Sequence, residues 1–136
     1  MSLQKISYDA LNPRQKENYN FQKVSAVLAD YGFVTLPLND DWQGADFIAQ
    51  HIDGETFLKI QLKSRLTLDK RYINKQLYIC FPYKAGVWFL YPHDEMVSHL
   101  IGTSNLGNTN SWQQHDRYSM NRPSQSLLNH LEQYKL

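Results

Sequence analysis

The strongest constraint on the fold is a hairpin signal between two apolar segments in the first half of the chain. Residues 45–52 read ADFIAQHI, residues 53–55 read DGE, and residues 56–65 read TFLKIQLKSR. An Asp-Gly pair between two apolar, strand-like segments is typical of a tight antiparallel turn. We therefore predict that these two segments form antiparallel strands that turn around Gly54.

The register of this hairpin predicts where its polar side chains meet. Alternate residues of a strand share a face, so Gln61 and Lys63 lie together on the face opposite Ile60. Partners across a turn centred on Gly54 have numbers that sum to about 107 or 108, which places Asp46 beside Gln61. A lysine in an apolar strand needs a negative partner, and we predict that Asp46 is that partner for Lys63.

Each of these polar residues also has a simpler explanation. Asp46 could open a strand after Gly44, and Lys63 could extend its ammonium group to solvent along its apolar stem. Glu17 lies one helical turn before Phe21 on a predicted helix and can project toward the same end of the sheet, but glutamates are common on solvated helix faces.

The rest of the chain predicts further helices and strands around this hairpin. Asn12 and Pro13 are a capping residue and a first helical residue, and Gly32 is a helix stop signal. Pro37 indicates an edge strand or a bulge. In chain order we predict a helix over 14–31, a strand over 33–38, a loop over 39–44, the first hairpin, a basic loop or short helix over 64–76, strands over 77–82 and 86–92 that end at Pro82 and Pro92, a helix over 93–102, a polar loop over 103–123 and a helix over 124–136.

Length and composition predict one domain over 1–136. The chain has 136 residues and is 42% hydrophobic, which suits a single core. The net charge of +1 does not indicate bulk attraction to nucleic acid. The single cysteine, Cys80, lies in an apolar segment and is predicted to be a buried core residue. No apolar segment is long enough to span a membrane, so we expect a soluble, cytoplasmic protein.

The order and spacing of these residues resemble the PD-(D/E)XK nuclease superfamily, which includes restriction endonucleases, Holliday-junction resolvases and small homing endonucleases. A helix with Glu17 precedes GADFIA with Asp46, and IQLK with Gln61 and Lys63 follows. Asp46 and Gln61 are 15 residues apart and are joined by one hairpin. The resemblance covers residues 14–92 approximately.

The resemblance implies a restriction-endonuclease-like α/β domain, with a central mixed, mostly antiparallel sheet of about five strands flanked by helices. It implies a metal-dependent endonuclease that hydrolyses DNA phosphodiester bonds, with Mg²⁺ as cofactor and Mn²⁺ able to substitute. Asp46 and Gln61 would hold the ion, and Glu17 would hold a metal-bound water. Lys63 would orient the attacking water or stabilise the phosphate as a fixed charge.

Two residues depart from the superfamily pattern. Ala45 stands where the family often has proline, and Gln61 stands where an acidic residue usually lies, although some active members have glutamine there. Because Gln61 removes one negative charge beside the ion, metal affinity should fall and depend more on bound DNA. The alternative function is a catalytically inactive module of this fold that binds DNA or a protein partner. An enzyme acting on RNA is a third possibility.

Two other segments could contact DNA. Cations after the hairpin suit phosphate contacts, and the amides and arginines of 102–122 can read base edges, although any solvated loop has such residues. The predicted DNA-binding residues are Arg65, Lys70, Arg71, Lys75, Arg117 and Arg122. Trp42 and Trp112 lie in predicted loops, where packing competes with stacking on a base. Cutting two strands with so small a domain predicts a homodimer or higher homo-oligomer.

Overall fold

The computed structural model of the chain describes residues 1–42 and 44–136, with the side chains of 40–42 left out of the description. Its helices and strands, in chain order, are α1 (Pro13–Ala29), β1 (Phe33–Trp42), β2 (Ala45–His51), β3 (Phe57–Leu62), β4 (Leu66–Asp69), β5 (Leu77–Lys84), β6 (Val87–Pro92), α2 (His93–Thr103), α3 (Asn110–His115), β7 (Arg117–Met120) and α4 (Gln125–Leu131). Short 3-10 turns span Tyr8–Ala10, Lys70–Tyr72, Leu106–Asn108 and Glu132–Tyr134.

Five of the strands form one mixed sheet in the order β1-β2-β3-β5-β6. β3 and β5 run parallel, and the other neighbours run antiparallel. Phe47 pairs with Ile60 and Ile48 with Lys59, so partners across the first hairpin sum to 107, as predicted. The predicted α/β architecture, with a mostly antiparallel five-stranded sheet flanked by helices, is confirmed.

Helix α1 begins where the sequence predicts. The Asn12 side chain accepts a hydrogen bond from the Gln15 amide at 2.8 Å, and the Gln15 side chain accepts one from the Asn12 amide at 2.9 Å. This reciprocal cap satisfies two N–H groups that would otherwise lack helical partners. The helix ends at Ala29 rather than at residue 31, and Gly32, at φ +83°, then turns the chain into β1.

Two apolar cores lie on opposite faces of the sheet. On one face, Val24 and Leu28 of α1 are buried against Phe47, Ile60 and Cys80. This confirms the prediction that Cys80 is a buried core residue, and burial raises the pKa of its thiol above the ordinary value.

The second core covers the opposite face of β5 and β6. It joins Ile79 and Tyr91 of the sheet to Met96 of α2, Leu127 of α4 and residues of β4. Trp112, from α3, is 6% exposed in this core, so its side chain packs inside the protein as the simpler reading predicted. The Trp42 side chain lies outside the described part of the chain. None of the described helices is long and apolar enough to cross a membrane.

The structure corrects two predicted strand ends, those of β1 and β5. β1 continues to Trp42, through most of the segment predicted as a loop over 39–44, because Trp42 pairs with Ala45 across the turn; Gln43 lies outside the described residues. The prediction for Pro37 is confirmed on both counts, since β1 is an edge strand and its register shifts after Pro37. Pro82 does not end its strand but lies within β5, just before another register shift.

One segment predicted as a loop or short helix and another predicted as a polar loop both contain strands. Residues 66–69 form β4, and the polar segment 103–123 contains α3 and β7. β4 pairs with β7 in antiparallel register, from Leu66 opposite Met120 to Asp69 opposite Arg117. Short polar strands have weak local patterns, and these two pair only because the fold brings together segments about 50 residues apart.

The other edge of β4 is held by two side chains at the end of the main sheet. The Tyr91 hydroxyl accepts a hydrogen bond from the Thr67 amide at 3.0 Å and donates one to the Thr67 carbonyl at 2.6 Å. The fully buried His93 ring accepts a hydrogen bond at Nε2 from the Asp69 amide at 3.0 Å. Its Nδ1 therefore carries the proton and lies 3.0 Å from the Asp94 carboxylate.

Acidification should destabilise the fold through His93. Burial lowers the pKa of this ring below its ordinary value and outweighs the opposing charges of Asp94 and Asp69. Below about pH 6.5 the unfolded chain takes up a proton that the folded ring excludes, so the free energy of unfolding falls. We expect a loss of about 1 kcal/mol between pH 7.5 and 5.5 in urea unfolding.

His93→Gln is the control for this pH dependence. Glutamine does not titrate, so the variant should lose less stability than the wild type over the same pH interval. His130, whose pKa is also lowered by burial and by the neighbouring His99 ring, would contribute equally to both proteins. Identical slopes in the two proteins would contradict the role of His93.

Candidate functional site

A cleft of about 650 Å³ opens where β2 begins and β3 ends. Its walls are the first turns of α1, the bulged part of β1, and the two strand ends. The four residues predicted to be catalytic line it together: Glu17, Asp46, Gln61 and Lys63. The structure thus brings an acid and an amine from neighbouring strands to one cleft, as the hairpin register predicts.

Asp46 is exposed at the mouth of the cleft. Backbone pairing of β2 with β3 runs from Gln50 opposite Phe57 to Phe47 opposite Ile60. One residue beyond this, the Asp46 Oδ2 atom accepts a hydrogen bond from the Leu62 amide at 2.8 Å. The carboxylate therefore ties the two strands together where they begin to separate, and this holds its position relative to the end of β3.

Lys63 follows directly after β3, and its amide donates to the Cys80 carbonyl at 2.8 Å. Its ammonium nitrogen lies 5.6 Å from the centre of the Tyr72 ring. Among the described residues, the ion pairs within 4 Å do not include Lys63. Asp46 and Lys63 therefore line one cleft without forming the predicted ion pair among the described contacts, and the Lys63 ammonium group lies over the Tyr72 ring instead.

The Lys63 charge contributes to the lowered pKa of Asp69. Burial would raise the pKa of Asp69, but hydrogen bonds and charge from Arg71, with a further contribution from the charge of Lys63, hold it below its ordinary value. Asp69 is 3% exposed and pairs with Arg71 at 2.7 Å. A buried, ionised acid therefore lies behind the wall of the cleft that carries Lys63.

Glu17 reaches the cleft from α1 and has two cationic neighbours there that the sequence interpretation missed. Arg14 and Lys16 also line the cleft. Arg14 stands three residues before Glu17 on the same helix face, so the placement of Glu17 was a signal that could have identified Arg14. Lys16, directly next to Glu17, had no such signal. Among the described side chains that line the cleft, three are cationic and two are carboxylates.

The six cations predicted to bind DNA are not among the described residues that line this cleft. Three of them contact polar side chains outside the cleft. The Arg65 side chain donates to the Asn121 side chain at 3.1 Å. Lys70 lies 3.3 Å from Asp116, and Arg71 holds Asp69 as described above.

The other three are placed separately. Arg117 is exposed on β7, Lys75 follows the 3-10 turn Lys70–Tyr72, and Arg122 lines a smaller pocket of about 320 Å³ beside His99. The assignment of these six residues to DNA stays a prediction.

Gly44 shapes the turn that leads into β2. Its φ is +87°, and a Cβ atom there would lie 2.8 Å from Leu77 Cδ1 and 3.0 Å from Tyr72 Cδ1. The left-handed backbone favours glycine, and the close neighbours leave no room for a side chain. Gly44 therefore lets the backbone two residues before Asp46 lie directly against the Tyr72 ring.

Gly44→Ala should destabilise the protein more than Gly54→Ala. Gly54 also has a positive φ, +74°, but nothing lies within 4 Å of a Cβ built there. We expect Gly54→Ala to cost about 1 kcal/mol for backbone strain alone. Gly44→Ala should cost about 2–4 kcal/mol, because overpacking against Tyr72 and Leu77 is added. Urea unfolding of both variants measures the difference, and equal costs would contradict the close contact.

The donor atoms at the cleft suit a hard cation that is held weakly. Asp46 offers a carboxylate and Gln61 an amide oxygen, and oxygen ligands are those that Mg²⁺ prefers. Among the side chains of residues 1–39 and 44–136, no three His, Cys, Asp or Glu are grouped as a metal site. Asp46 and Gln61 by themselves would leave most positions around an ion to oxygens from water or a bound phosphate.

Comparison with known proteins finds similarity only among solved structures. No family model matches the chain, and no curated protein matches it. The chain is similar to Archaeoglobus fulgidus Hjc, a Holliday junction resolvase, with a TM-score of 0.47 and 16% identity, covering 58% of this chain and 74% of that one. It is also similar to a bacterial homing endonuclease, with a TM-score of 0.49 and 10% identity, covering 90% of this chain and 94% of that one. The roles of residues in the cleft therefore depend on this chain's own geometry.

Proposed function

We propose that the protein is a cytoplasmic, metal-dependent endonuclease of restriction-endonuclease-like type that hydrolyses DNA phosphodiester bonds. One observation carries the proposal. Glu17, Asp46, Gln61 and Lys63, which come from a helix and two strands, line a single cleft. Acids and an amide can ligate a metal ion, and an amine can stabilise a phosphate, so this set of groups suits metal-dependent phosphodiester hydrolysis.

Each of the four residues has a distinct role in this proposal. Asp46, held by the Leu62 amide at 2.8 Å, would ligate Mg²⁺ together with the amide oxygen of Gln61. The ion supplies Lewis acidity and lowers the pKa of bound water. Glu17 accepts hydrogen bonds from water on the helix side of the cleft. Lys63 presents a fixed positive charge to the scissile phosphate, where negative charge develops during the reaction.

Cations at the cleft explain how a chain with a net charge of only +1 could attract DNA. Arg14 and Lys16 line the cleft beside Glu17 and are suited to phosphates that flank the scissile bond. They also repel a free metal ion, since the described lining side chains are cationic on balance. A bound phosphodiester would offset this repulsion, so metal and DNA should bind cooperatively.

Gln61→Glu should strengthen metal binding. The change adds a carboxylate beside Asp46 with almost no change in side-chain size, and hard cations bind anionic oxygen more tightly than amide oxygen. We expect the Mg²⁺ concentration for half-maximal cleavage to fall by about tenfold. Gln22→Glu, an exposed position on α1 outside the described cleft lining, is the matched control and should leave it unchanged. An unchanged Mg²⁺ dependence in Gln61→Glu would remove Gln61 from the metal site.

The function itself is tested by nicking of supercoiled plasmid with Mg²⁺, with Mn²⁺, and with chelator. We expect nicked and then linear DNA only when a divalent ion is present. Cleavage of an RNA substrate under the same conditions, without cleavage of DNA, would instead assign an RNA-acting enzyme.

A second candidate function is an inactive nuclease-fold module that binds DNA or a protein partner. The observation that favours it is the identity of Gln61. Of the two proposed metal ligands, Asp46 is a carboxylate and Gln61 is a neutral amide, which binds a hard cation more weakly. DNA binding in a gel-shift assay without cleavage at any divalent ion concentration would support this candidate and overturn the endonuclease proposal.

We also propose that the active protein is a homodimer or higher homo-oligomer. Double-strand cleavage needs two active sites, and one chain presents one such cleft among its described residues. Light scattering at assay concentration should give at least twice the 16.0 kDa mass of one chain. A monomer that linearises plasmid in one binding event would contradict it.

A further inference from the structure

The Tyr72 ring lies near Lys63 and against Gly44, two residues before Asp46. Its ring centre lies 5.6 Å from the Lys63 ammonium nitrogen. Two of its ring carbons lie 3.0 and 3.1 Å from the position of a Cβ atom at Gly44. Ala45, immediately before Asp46, belongs to the same buried cluster as Tyr72. One aromatic ring therefore packs beneath the turn that leads to Asp46 and faces the amine that must act beside it.

The ring is held rigidly in this position. Tyr72 is 6% exposed and ends the 3-10 turn that starts at Lys70, where the Asp69 side chain accepts from the Arg71 amide at 2.9 Å. The Tyr72 ring meets the buried His93 ring edge to face, with centres 5.6 Å apart. His93 in turn accepts a hydrogen bond at Nε2 from the Asp69 amide. The ring is thus locked by buried groups that do not line the cleft.

We propose that Tyr72 is a positioning residue that sets where the Lys63 ammonium group lies relative to the Asp46 carboxylate. The face of an aromatic ring attracts a cation and limits the orientations of a long, flexible side chain. The same ring packs against Gly44, two residues before Asp46. The positions of the Lys63 ammonium group and of the Asp46 backbone therefore both depend on the Tyr72 ring. The effect on cleavage rests on the proposed function, whereas the placement of Lys63 does not.

Two cations, Lys63 and Arg71, lie near the Tyr72 ring, and they differ in whether their charge is paired. The Arg71 guanidinium carbon lies 5.8 Å from the ring centre, but its charge is paired with Asp69 at 2.7 Å. Lys63, in contrast, forms no ion pair within 4 Å among the described residues. Lys63 is therefore the cation of the two that remains available to a phosphate in the cleft.

The test compares Tyr72→Leu with Tyr72→Phe. Leucine keeps an apolar side chain but removes the ring face, and phenylalanine keeps the ring. Lysines are labelled with ¹³C at the ε carbon, and the Lys63 resonance is assigned by its loss in Lys63→Arg. In the wild type and in Tyr72→Phe, ring shielding should shift the Lys63 ε protons upfield of the other lysines. In Tyr72→Leu they should move to the ordinary position.

Cleavage kinetics give the second readout. Tyr72→Leu should lower kcat by about tenfold with KM changed less than about twofold, because a displaced amine weakens the transition state more than substrate binding. Tyr72→Phe should keep the wild-type kcat and KM, because phenylalanine retains the ring. Thermal unfolding of each variant identifies how much of any loss comes from unfolded protein.

The outcomes separate this inference from the proposed function. A Lys63 resonance at the ordinary position in the wild type, or one unaffected by Tyr72→Leu in a folded protein, overturns the inference. If the Lys63 resonance is upfield in the wild type and returns to the ordinary position in Tyr72→Leu, the placement of Lys63 is supported. If the wild type also cleaves no nucleic acid, the endonuclease proposal is overturned while the placement of Lys63 stands. An equal kcat in the wild type and in folded Tyr72→Leu overturns the catalytic consequence.

Discussion

Asp46→Asn is expected to reduce Mg²⁺-dependent plasmid cleavage by about 10²–10³-fold. The substitution removes the one carboxylate among the two proposed metal ligands while keeping the side-chain shape. Because the asparagine side-chain oxygen can still accept the Leu62 amide, which lies 2.8 Å from Asp46 Oδ2, the strand ends should stay together. The loss should therefore come from weaker metal binding, and part of it should be recovered at high Mn²⁺ concentration.

Lys63→Met should cause a loss of similar size by another route. Methionine keeps most of the apolar stem but removes the charge that would stabilise the phosphate, so extra metal should not restore activity. The double variant should lose less than the product of the two single losses, because groups that act together on one transition state are not additive.

Asp30→Asn and Lys59→Met are matched controls for these two substitutions. Asp30 is an exposed carboxylate at the end of α1. Lys59 lies on β3, four residues before Lys63, but it is not among the described cleft residues. Both controls should cut plasmid at rates near the wild type. If Asp46→Asn and Lys63→Met cut as fast as these controls, the assigned site is wrong.

Tyr91→Phe is expected to lower the free energy of unfolding by about 2–4 kcal/mol. The Tyr91 hydroxyl, fully buried, satisfies both the amide and the carbonyl of Thr67, at 3.0 and 2.6 Å. Phenylalanine fills the same space but leaves both backbone groups without that partner, and each such buried group costs about 1–3 kcal/mol. Urea unfolding at neutral pH measures the change.

Tyr8→Phe is the control for the loss of a tyrosine hydroxyl. The Tyr8 hydroxyl accepts a hydrogen bond from the Asn20 side chain at 2.9 Å, and Tyr8 is 38% exposed. Water can replace that contact, so the control should change stability by less than about 0.5 kcal/mol. Equal effects of the two substitutions would mean that Tyr91 does not anchor β4.

The candidate site was predictable from sequence where it depends on local register. The Asp53 side chain accepts hydrogen bonds from the Glu55 and Thr56 amides, both at 2.8 Å, and Gly54 adopts a positive φ. These contacts lower the pKa of Asp53, chiefly through hydrogen bonds from Thr56. A turn built from adjacent residues determines which residues face each other across the hairpin. The placement of Asp46 opposite Gln61 follows from it.

The partners of Lys63 could not be predicted in the same way. Tyr72 is nine residues farther along the chain, in a segment whose polar pattern predicted a loop or a short helix. Its ring comes to lie beneath the ammonium group because β4 pairs with β7 and because His93 and Tyr91 hold β4 to the main sheet. None of these contacts leaves a periodic signal in the local sequence.

The sequence by itself therefore determined the start of α1, the first hairpin and the side of the sheet on which Gln61 and Lys63 lie. Those features depend on caps, turns and alternation over a few residues, where backbone geometry leaves few choices. Only the tertiary structure decided that Lys16 lines the cleft and that the Tyr72 ring lies beside the Lys63 ammonium group. Such contacts join segments far apart in the chain, and they form only when both cores are packed.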